Sequence, residues 1–235
     1  MRVLRFLLIV LILIVSVVVP FQILNGKFRL PQYNKETAFA QSVYSELQLD
    51  SKGLEFEIFE TALKGHQKLL QNHKLGVSDI ITIADLSQPS VKKRLYIIDV
   101  KHRQLLFNTY VSHGKNSGEL FAKHFSNVPS SLQSSLGFYV TGTSYTGKHG
   151  ISMVLHGQEP GFNDKAEGRA IVLHGADYVS EKFINTTGRL GRSFGCPAVA
   201  SELAAPIINT IQDGTCLFVY SPDPDYLKKS ALASN

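Results

Sequence analysis

The sequence lacks tryptophan and has only two cysteines and two methionines among its 235 residues. Two cysteines cannot form a disulfide framework, and a chain of this length can bury most of the surface its unfolded form exposes without one. Charge is scarce as well, at 18% Asp, Glu, Lys and Arg, while 44% of the residues are apolar. That balance excludes a disordered chain and a multi-span membrane protein. Lys and Arg number 24 against 19 Asp and Glu, and 22 against 19 beyond residue 24, with no basic cluster. The basic stripe or face of a nucleic-acid-binding protein is therefore missing, whereas an acidic polymer or carboxylate ligand stays compatible. No C-x-x-C, H-x-H or H-x-x-x-H pattern occurs. His113, His124, His149, His156 and His174 thus lack metal-ligand spacing, and a metal site would have to be assembled from distant segments.

One long hydrophobic run is present. Phe6 to Leu24 contains 19 uncharged residues, almost all Leu, Ile, Val and Phe, behind Arg2 and Arg5. About 20 apolar residues in a helix span the hydrocarbon core of a bilayer, so residues 1–25 read as a retained signal anchor or a cleaved signal peptide. Pro20 to Lys27 offers no small-x-small cleavage pattern; the first is Ala38-Phe39-Ala40. Uncleaved, residues 6–24 would hold the protein at an inner membrane.

Residues 26–78 read as a linker followed by two amphipathic helices, over Glu36 to Leu49 and Leu54 to His73, on the helical spacing of Phe56, Phe59, Leu63, Leu69 and Leu70. From Asp79 the pattern changes to short β-rich runs: Ile80 to Leu86, Leu95 to Val100, Leu105 to Val111, Gly137 to Ser144, Ile151 to Leu155, Ala170 to Leu173 and Thr215 to Tyr220. A further helix is expected over Ser201 to Ile211, with Ser201 as N-cap and Gly214 just past its end. The strands do not alternate with crossover helices, so the expected fold is mainly β with accessory helices (α+β), largely antiparallel. The core domain is placed at residues 79–222 and a C-terminal tail at 223–235.

Two motifs match familiar patterns without their requirements. Gly142 to Lys148 has P-loop spacing, but His149 stands where Ser or Thr would hold magnesium. Gly191-Arg192-Ser193-Phe194-Gly195 fits the G-x-S-x-G nucleophile elbow, yet every histidine precedes Ser193, and that motif needs its histidine afterwards.

A cysteine with an upstream histidine remains. A thiol becomes a strong nucleophile once deprotonated, and a nearby imidazole or helix N-terminus promotes that at neutral pH. In Ser193-Phe194-Gly195-Cys196-Pro197, Gly195 allows a tight turn and Pro197 suits the first helical position, which would place Cys196 at a helix start facing N–H groups able to receive an oxyanion. His174 closes the short run from Ala170, and Gly175 leaves room beside it. On spacing alone each residue equally suits a structural role, as Cys216 does in its apolar strand.

The stretch Ile171 to Tyr178 (IVLHGADY), followed by Gly188 to Ala198 (GRLGRSFGCPA), resembles the L,D-transpeptidase (YkuD-like) superfamily, particularly its murein L,D-transpeptidase catalytic-domain branch. Leu95 to Val100 (LYIIDV), Val111 to Gly118 (VSHGKNSG) and Gly157 to Asp164 (GQEPGFND) resemble that branch too, so the likeness covers about residues 80–221. It implies an L,D-transpeptidase-like β-sandwich with Cys196 as nucleophile, His174 as base, Gly195 and Cys196 as backbone oxyanion donors, and Gly175 and Ser193 as motif support. Phe194 departs from the broader family, which has histidine there, and Pro197-Ala198 departs from its pattern of an apolar residue followed often by Arg or Asn. The 22-residue separation of His174 and Cys196 implies a longer loop over the site. Arg192, Arg189, Arg169 and Tyr178 are candidates to bind substrate, with His156 and His113 as further candidates to line the pocket. By this resemblance the partners are peptidoglycan stem peptides in a bacterial cell envelope, outside the cytoplasm, and no cofactor is implied. A metal-dependent L,D- or D,D-peptidase and a non-catalytic wall-binding protein are the competing classes.

Overall fold

The computed structural model describes residues 35–76, 79–147 and 150–234. The hydrophobic run 6–24 and His149 lie outside them. Among the described residues no helix is long and apolar enough to cross a membrane. Residues 39–235 group as one unit; of the preceding unit only the start of the first helix is described.

Helix α1 spans Lys35–Glu46 and α2 Phe56–Gln71. In α2, Ile58, Phe59, Ala62, Leu63, His66 and Leu69 are buried at three- and four-residue spacing, as one apolar helix face requires. The helix lies against two strands, β1 (Ile80–Asp85) and β8 (Cys216–Tyr220), which pair in parallel. Both strands are buried almost throughout because the sheet is covered on both faces there.

The remaining strands are β2 (Leu95–Asp99), β3 (Gln104–Thr109), β4 (Gly137–Gly147), β5 (Gly150–Gly157), β6 (Val172–Gly175) and β7 (Ala198–Val199). All eight belong to one sheet in the order β3-β2-β1-β8-β4-β5-β6-β7, antiparallel except at β1–β8 and β6–β7. Just past β3, Ser112 forms a bridge to Ala198 on β7, so the two edges curl toward each other into a nearly closed barrel. The fold is thus mixed α+β and mostly sheet, as expected, but one continuous curled sheet replaces the two facing sheets of a sandwich.

Three shorter helices complete the fold: α3 (Glu181–Thr187), α4 (Ser201–Ile211) and α5 (Pro224–Lys229). Helix α4 has the expected bounds and packs on β5 and β6. Ala200, not Ser201, occupies its N-cap; the Ser201 hydroxyl instead donates to Asp177 Oδ1 at 2.6 Å. The segment expected to be a tail contains α5, whose Tyr226 is fully buried. Its phenol donates to Glu159 Oε2 at 2.9 Å, and Phe138 N–H donates to the same oxygen at 2.8 Å. Asn163 ties the same corner together by donating to the Leu136 and Phe138 carbonyls at 3.0 Å each. The GQEPGFND segment therefore works as an internal brace, tying the chain end to β4.

Candidate active site

The β6–β7 edge brings the histidine and cysteine together through main-chain register. His174 pairs with Ala198 in parallel and with Ser152 of β5 antiparallel. The His174 N–H donates to the Pro197 carbonyl at 3.4 Å, and two residues earlier the Val172 N–H points at Cys196 Sγ at 3.5 Å. The thiol thereby continues the ladder where the backbone of β7 has not yet begun. Cys196 does not start a helix: Pro197 leads into strand β7, and α4 begins only at Ser201. The register that seats Pro197's carbonyl opposite His174 needs extended backbone there.

Cys196 and His174 both line a pocket of about 390 Å³, together with Tyr145, Gly147, Ser152, Ala170, Val172, Tyr178, Arg192, Ser193 and Phe194. His174 is 8% exposed and its Nδ1 lies 2.8 Å from the Gly175 carbonyl oxygen. A carbonyl only accepts, so Nδ1 carries the proton and Nε2 is the basic nitrogen. Burial pushes the Cys196 thiol above its usual range, opposed by the Val172 N–H, the Arg169 charge and the residue's own N–H. The thiol accordingly donates to the Ala170 carbonyl at 3.6 Å. No helix N-terminus faces the thiol, contrary to the sequence expectation, and His174 shares its pocket.

The cysteine turn is locked from within. Ser193 Oγ donates to the Cys196 carbonyl at 2.6 Å and accepts from the Gly195 N–H at 3.0 Å. The Gly195 N–H, expected as an oxyanion donor, is thus already engaged. Gly195 has φ +130°, and a side chain there would press on the Gln133 carbonyl at 2.9 Å. Ser193 accordingly serves the turn and is no nucleophile.

The candidate substrate arginines are held by the protein. Arg192 reaches the pocket wall, but its Nη1 donates to the Lys115 and Gly118 carbonyls, each at 3.0 Å, and to Glu119 Oε1 at 2.7 Å. Arg189 Nε pairs with Glu119 Oε2 at 2.8 Å and lies off the pocket. Arg169 is a clamp on the 126–135 loop: it donates to the Ser126 carbonyl at 2.7 Å, the Gln133 carbonyl at 2.8 Å, and the hydroxyls of Ser131 and Ser135. Tyr178 does line the pocket, and its side chain sits where any side chain on Gly191 would fall, with its Cβ 2.4 Å and its ring 2.6 Å from the added Cβ.

Neither further histidine candidate joins the pocket wall. His113 is 1% exposed; its Nδ1 accepts from Arg94 Nη2 at 2.8 Å and its Nε2–H donates to the Gly118 carbonyl at 3.3 Å. Burial, with Arg94 beside it, lowers its pKa to about 4. His156 Nδ1 lies 3.0 Å from Glu167 Oε2. Among the described residues no three His, Cys, Asp or Glu side chains converge as metal ligands would.

Sequence reasoning missed the contribution of the β4–β5 hairpin, which brings Tyr145, Gly147 and Ser152 to the pocket. Gly142 to Gly147, with P-loop spacing, is the outer half of β4 in that hairpin. The turn signal of Gly147 and Gly150 was present in the sequence, but the pairing of Ser152 with His174 exists only once strand order is known. The longer loop between His174 and Cys196 holds α3, framed by the N-cap of Ser180 and by Gly188 at φ +77°.

Comparison with known proteins gives a match to the model of the L,D-transpeptidase catalytic domain over residues 50–220. Among solved structures, the helical cell shape determining protein of Campylobacter jejuni is 16% identical, with 67% of this chain and 56% of that one covered and a TM-score of 0.41. L,D-transpeptidase 3 of Mycobacterium tuberculosis is 11% identical, with 61% of each chain covered and a TM-score of 0.37. An L,D-transpeptidase of Mycobacterium smegmatis is 12% identical over 61% of this chain and 59% of that one, with a TM-score of 0.37. The chain thus spans less than two thirds of the length of these structures. No curated protein matches it.

Proposed function

The chain belongs to the L,D-transpeptidase catalytic domain family, and on that premise we propose that it is a cysteine acyl-transferase acting on peptidoglycan stem peptides outside the cytoplasm. The observation that carries this reading is the shared pocket of Cys196 and His174, with the histidine tautomer set by the Gly175 carbonyl. A protonated thiol sharing a pocket with an imidazole whose Nδ1 is held by a carbonyl, leaving Nε2 as the basic nitrogen, is the arrangement that base-activated thiol attack requires.

In the proposed reaction His174 Nε2 takes the Cys196 proton as sulfur attacks the carbonyl between the third stem residue, a diamino acid, and the terminal D-Ala. With the Gly195 N–H engaged by Ser193, the Cys196 N–H is the motif donor left to receive the developing oxyanion. The tetrahedral intermediate collapses, the C–N bond breaks, and the imidazolium returns its proton to the leaving D-Ala amine. The acyl group, now a thioester on Cys196, passes to an amine of a second stem as a 3-3 cross-link, or to water as a carboxypeptidase product. The wall outside the cytoplasm is where such substrates lie, which agrees with the export reading of residues 6–24.

The test is D-Ala release from a stem tetrapeptide, with mass measurement of the intact protein. The expected result is release by the wild type and a thioester-linked mass on Cys196, both lost in Cys196→Ala. Chelator-sensitive release that survives Cys196→Ala would instead mark a metal peptidase. Retention of peptidoglycan without any change to it would mark a binding protein.

A further inference from the structure

The rim of the thiol pocket carries a cation that the proposed chemistry leaves unused. Arg189 and Arg192 share the Glu119 carboxylate, and Arg169 is committed to the 126–135 loop. Their guanidinium hydrogen bonds are spent inside the protein. Lys115 differs. Its main chain is fixed to the cysteine segment at both ends: its N–H donates to the Ser193 carbonyl at 2.8 Å, and its carbonyl accepts from Arg192. From that anchorage its ammonium stands 4.9 Å from the centre of the Phe194 ring, and among the described residues no carboxylate pairs with it.

Phe194 is 69% exposed, the most open large apolar side chain among the described residues, and forms the pocket wall two positions before Cys196. Tyr145, 48% exposed, lines the same pocket from the hairpin. An open ring gains by being covered, and a cation set on a ring face keeps its charge available to an anion on its other side. Two open aromatic rings on the pocket wall, one of them under an exposed ammonium that has no carboxylate partner among the described residues, are suited to a ligand residue that is aliphatic along its length and anionic at its end.

We infer that Lys115 and Phe194 form the subsite for a carboxylate of the acyl donor, the ammonium pairing with the carboxylate and the ring covering the carbon chain of the same residue. This rests on the proposed acyl-transferase reading. Of the two donor residues flanking the scissile bond, each with a free carboxylate, only the third, a diamino acid, has a carbon chain for the ring to cover, so its carboxylate is the expected partner; amidating the third residue and the terminal D-Ala in turn checks this.

The experiment measures D-Ala release from three tetrapeptides: unmodified, amidated at the terminal D-Ala, and amidated at the third residue. Lys115→Gln is expected to raise KM on the unmodified donor about fivefold with kcat little changed, as a partly exposed ion pair would. Lys115→Arg restores KM, and added salt narrows the gap between wild type and Lys115→Gln. The penalty disappears on the donor whose amidation removes the carboxylate that Lys115 holds. Phe194→Ala raises KM on all three donors, since the ring contact does not depend on charge. Both side chains are exposed, and an unchanged melting temperature confirms that the variants fold. An unchanged KM in Lys115→Gln, or an equal penalty on all three donors, overturns the subsite while leaving the reaction standing. A wild type that neither releases D-Ala nor gains a mass on Cys196 overturns the reaction, and the subsite falls with it.

Discussion

Cys216 lies on β8 in the middle of the sheet, between β1 and β4, with no exposed surface, whereas Cys196 lies at the β6–β7 edge with its thiol on a pocket wall. Burial raises the thiol pKa at both positions. At the edge three polar groups oppose that rise, and a histidine shares the pocket. In the middle nothing opposes it, and the Glu159 charge adds to it. The same residue type therefore packs as a small apolar group in one place and lines a pocket with a histidine in the other. What separates them is strand termination: β7 is two residues long, so the thiol, not a backbone carbonyl, faces the Val172 N–H.

The largest expected effects test that separation. Cys196→Ala should lower D-Ala release by a factor on the order of 10⁴ or more, as removal of a covalent nucleophile does elsewhere. Cys216→Ala should leave the rate unchanged and lower stability by about 1 kcal/mol through the small cavity it opens, read from the urea midpoint. Equal losses of activity from both variants would break the comparison. Next in size, His174→Ala should reduce kcat by about 10²–10⁴, the usual contribution of a positioned base. Alkylation of Cys196 by iodoacetamide should also slow in that variant at neutral pH, because the half-buried thiol then lacks its proton acceptor. An unchanged alkylation rate would separate the imidazole from the thiol.

How far the sequence disclosed this contrast depends on what each element rests on. Helix α4 and the strand runs were legible because an apolar period over many residues marks a buried face whatever the tertiary context. The short helices α3 and α5 were not, because seven and six residues carry too little pattern; their signals were the Ser180 and Asp223 caps, each accepting a backbone N–H. The resemblance carried by the His174 and Cys196 segments picked out the two residues that share the pocket. Their surroundings were misread at Pro197, since the same Pro that suits a helix start also suits the residue ahead of a strand. The arginines stood as substrate candidates in sequence because Glu119 and the loop carbonyls that engage them are distant along the chain.

His113 joins the two regions, since its carbonyl accepts from the Ser193 N–H while its ring is packed beside Arg94. Its folded pKa of about 4 lies below the ordinary value of 6.5. A histidine held neutral in the fold takes up its proton more readily when unfolded. The stability it carries is complete above pH 6.5 and is lost as the pH falls through 6.5 toward 4, by up to about 3 kcal/mol. Urea midpoints measured from pH 7 to pH 4 should fall more steeply for the wild type than for His113→Gln, the difference isolating this group from the carboxylates. Parallel slopes would show that the ring does not resist protonation.

The smallest expected effect lies farthest from the pocket. Gly65 sits inside α2, and a Cβ there would lie 2.1–2.7 Å from the ring atoms of Phe138, which is itself stacked on Phe218 at 4.1 Å and 12°. Helix propensity alone favours Gly65→Ala by about 1 kcal/mol. Overlap with a fully buried ring costs about 1–3 kcal/mol, and neither aromatic has open space to move into. Overlap should win, lowering the melting temperature by a few degrees in a chain of this size. Phe138→Leu in the same background should recover part of the loss by returning volume to the site. The turnover of folded protein should stay unchanged, because β1, β8 and β4 carry the strain while the thiol edge hangs on β5 and β6. A Gly65→Ala variant with a higher melting temperature would show that the helix can lift off the sheet, and a variant with lower kcat would show that the middle and the edge are mechanically coupled.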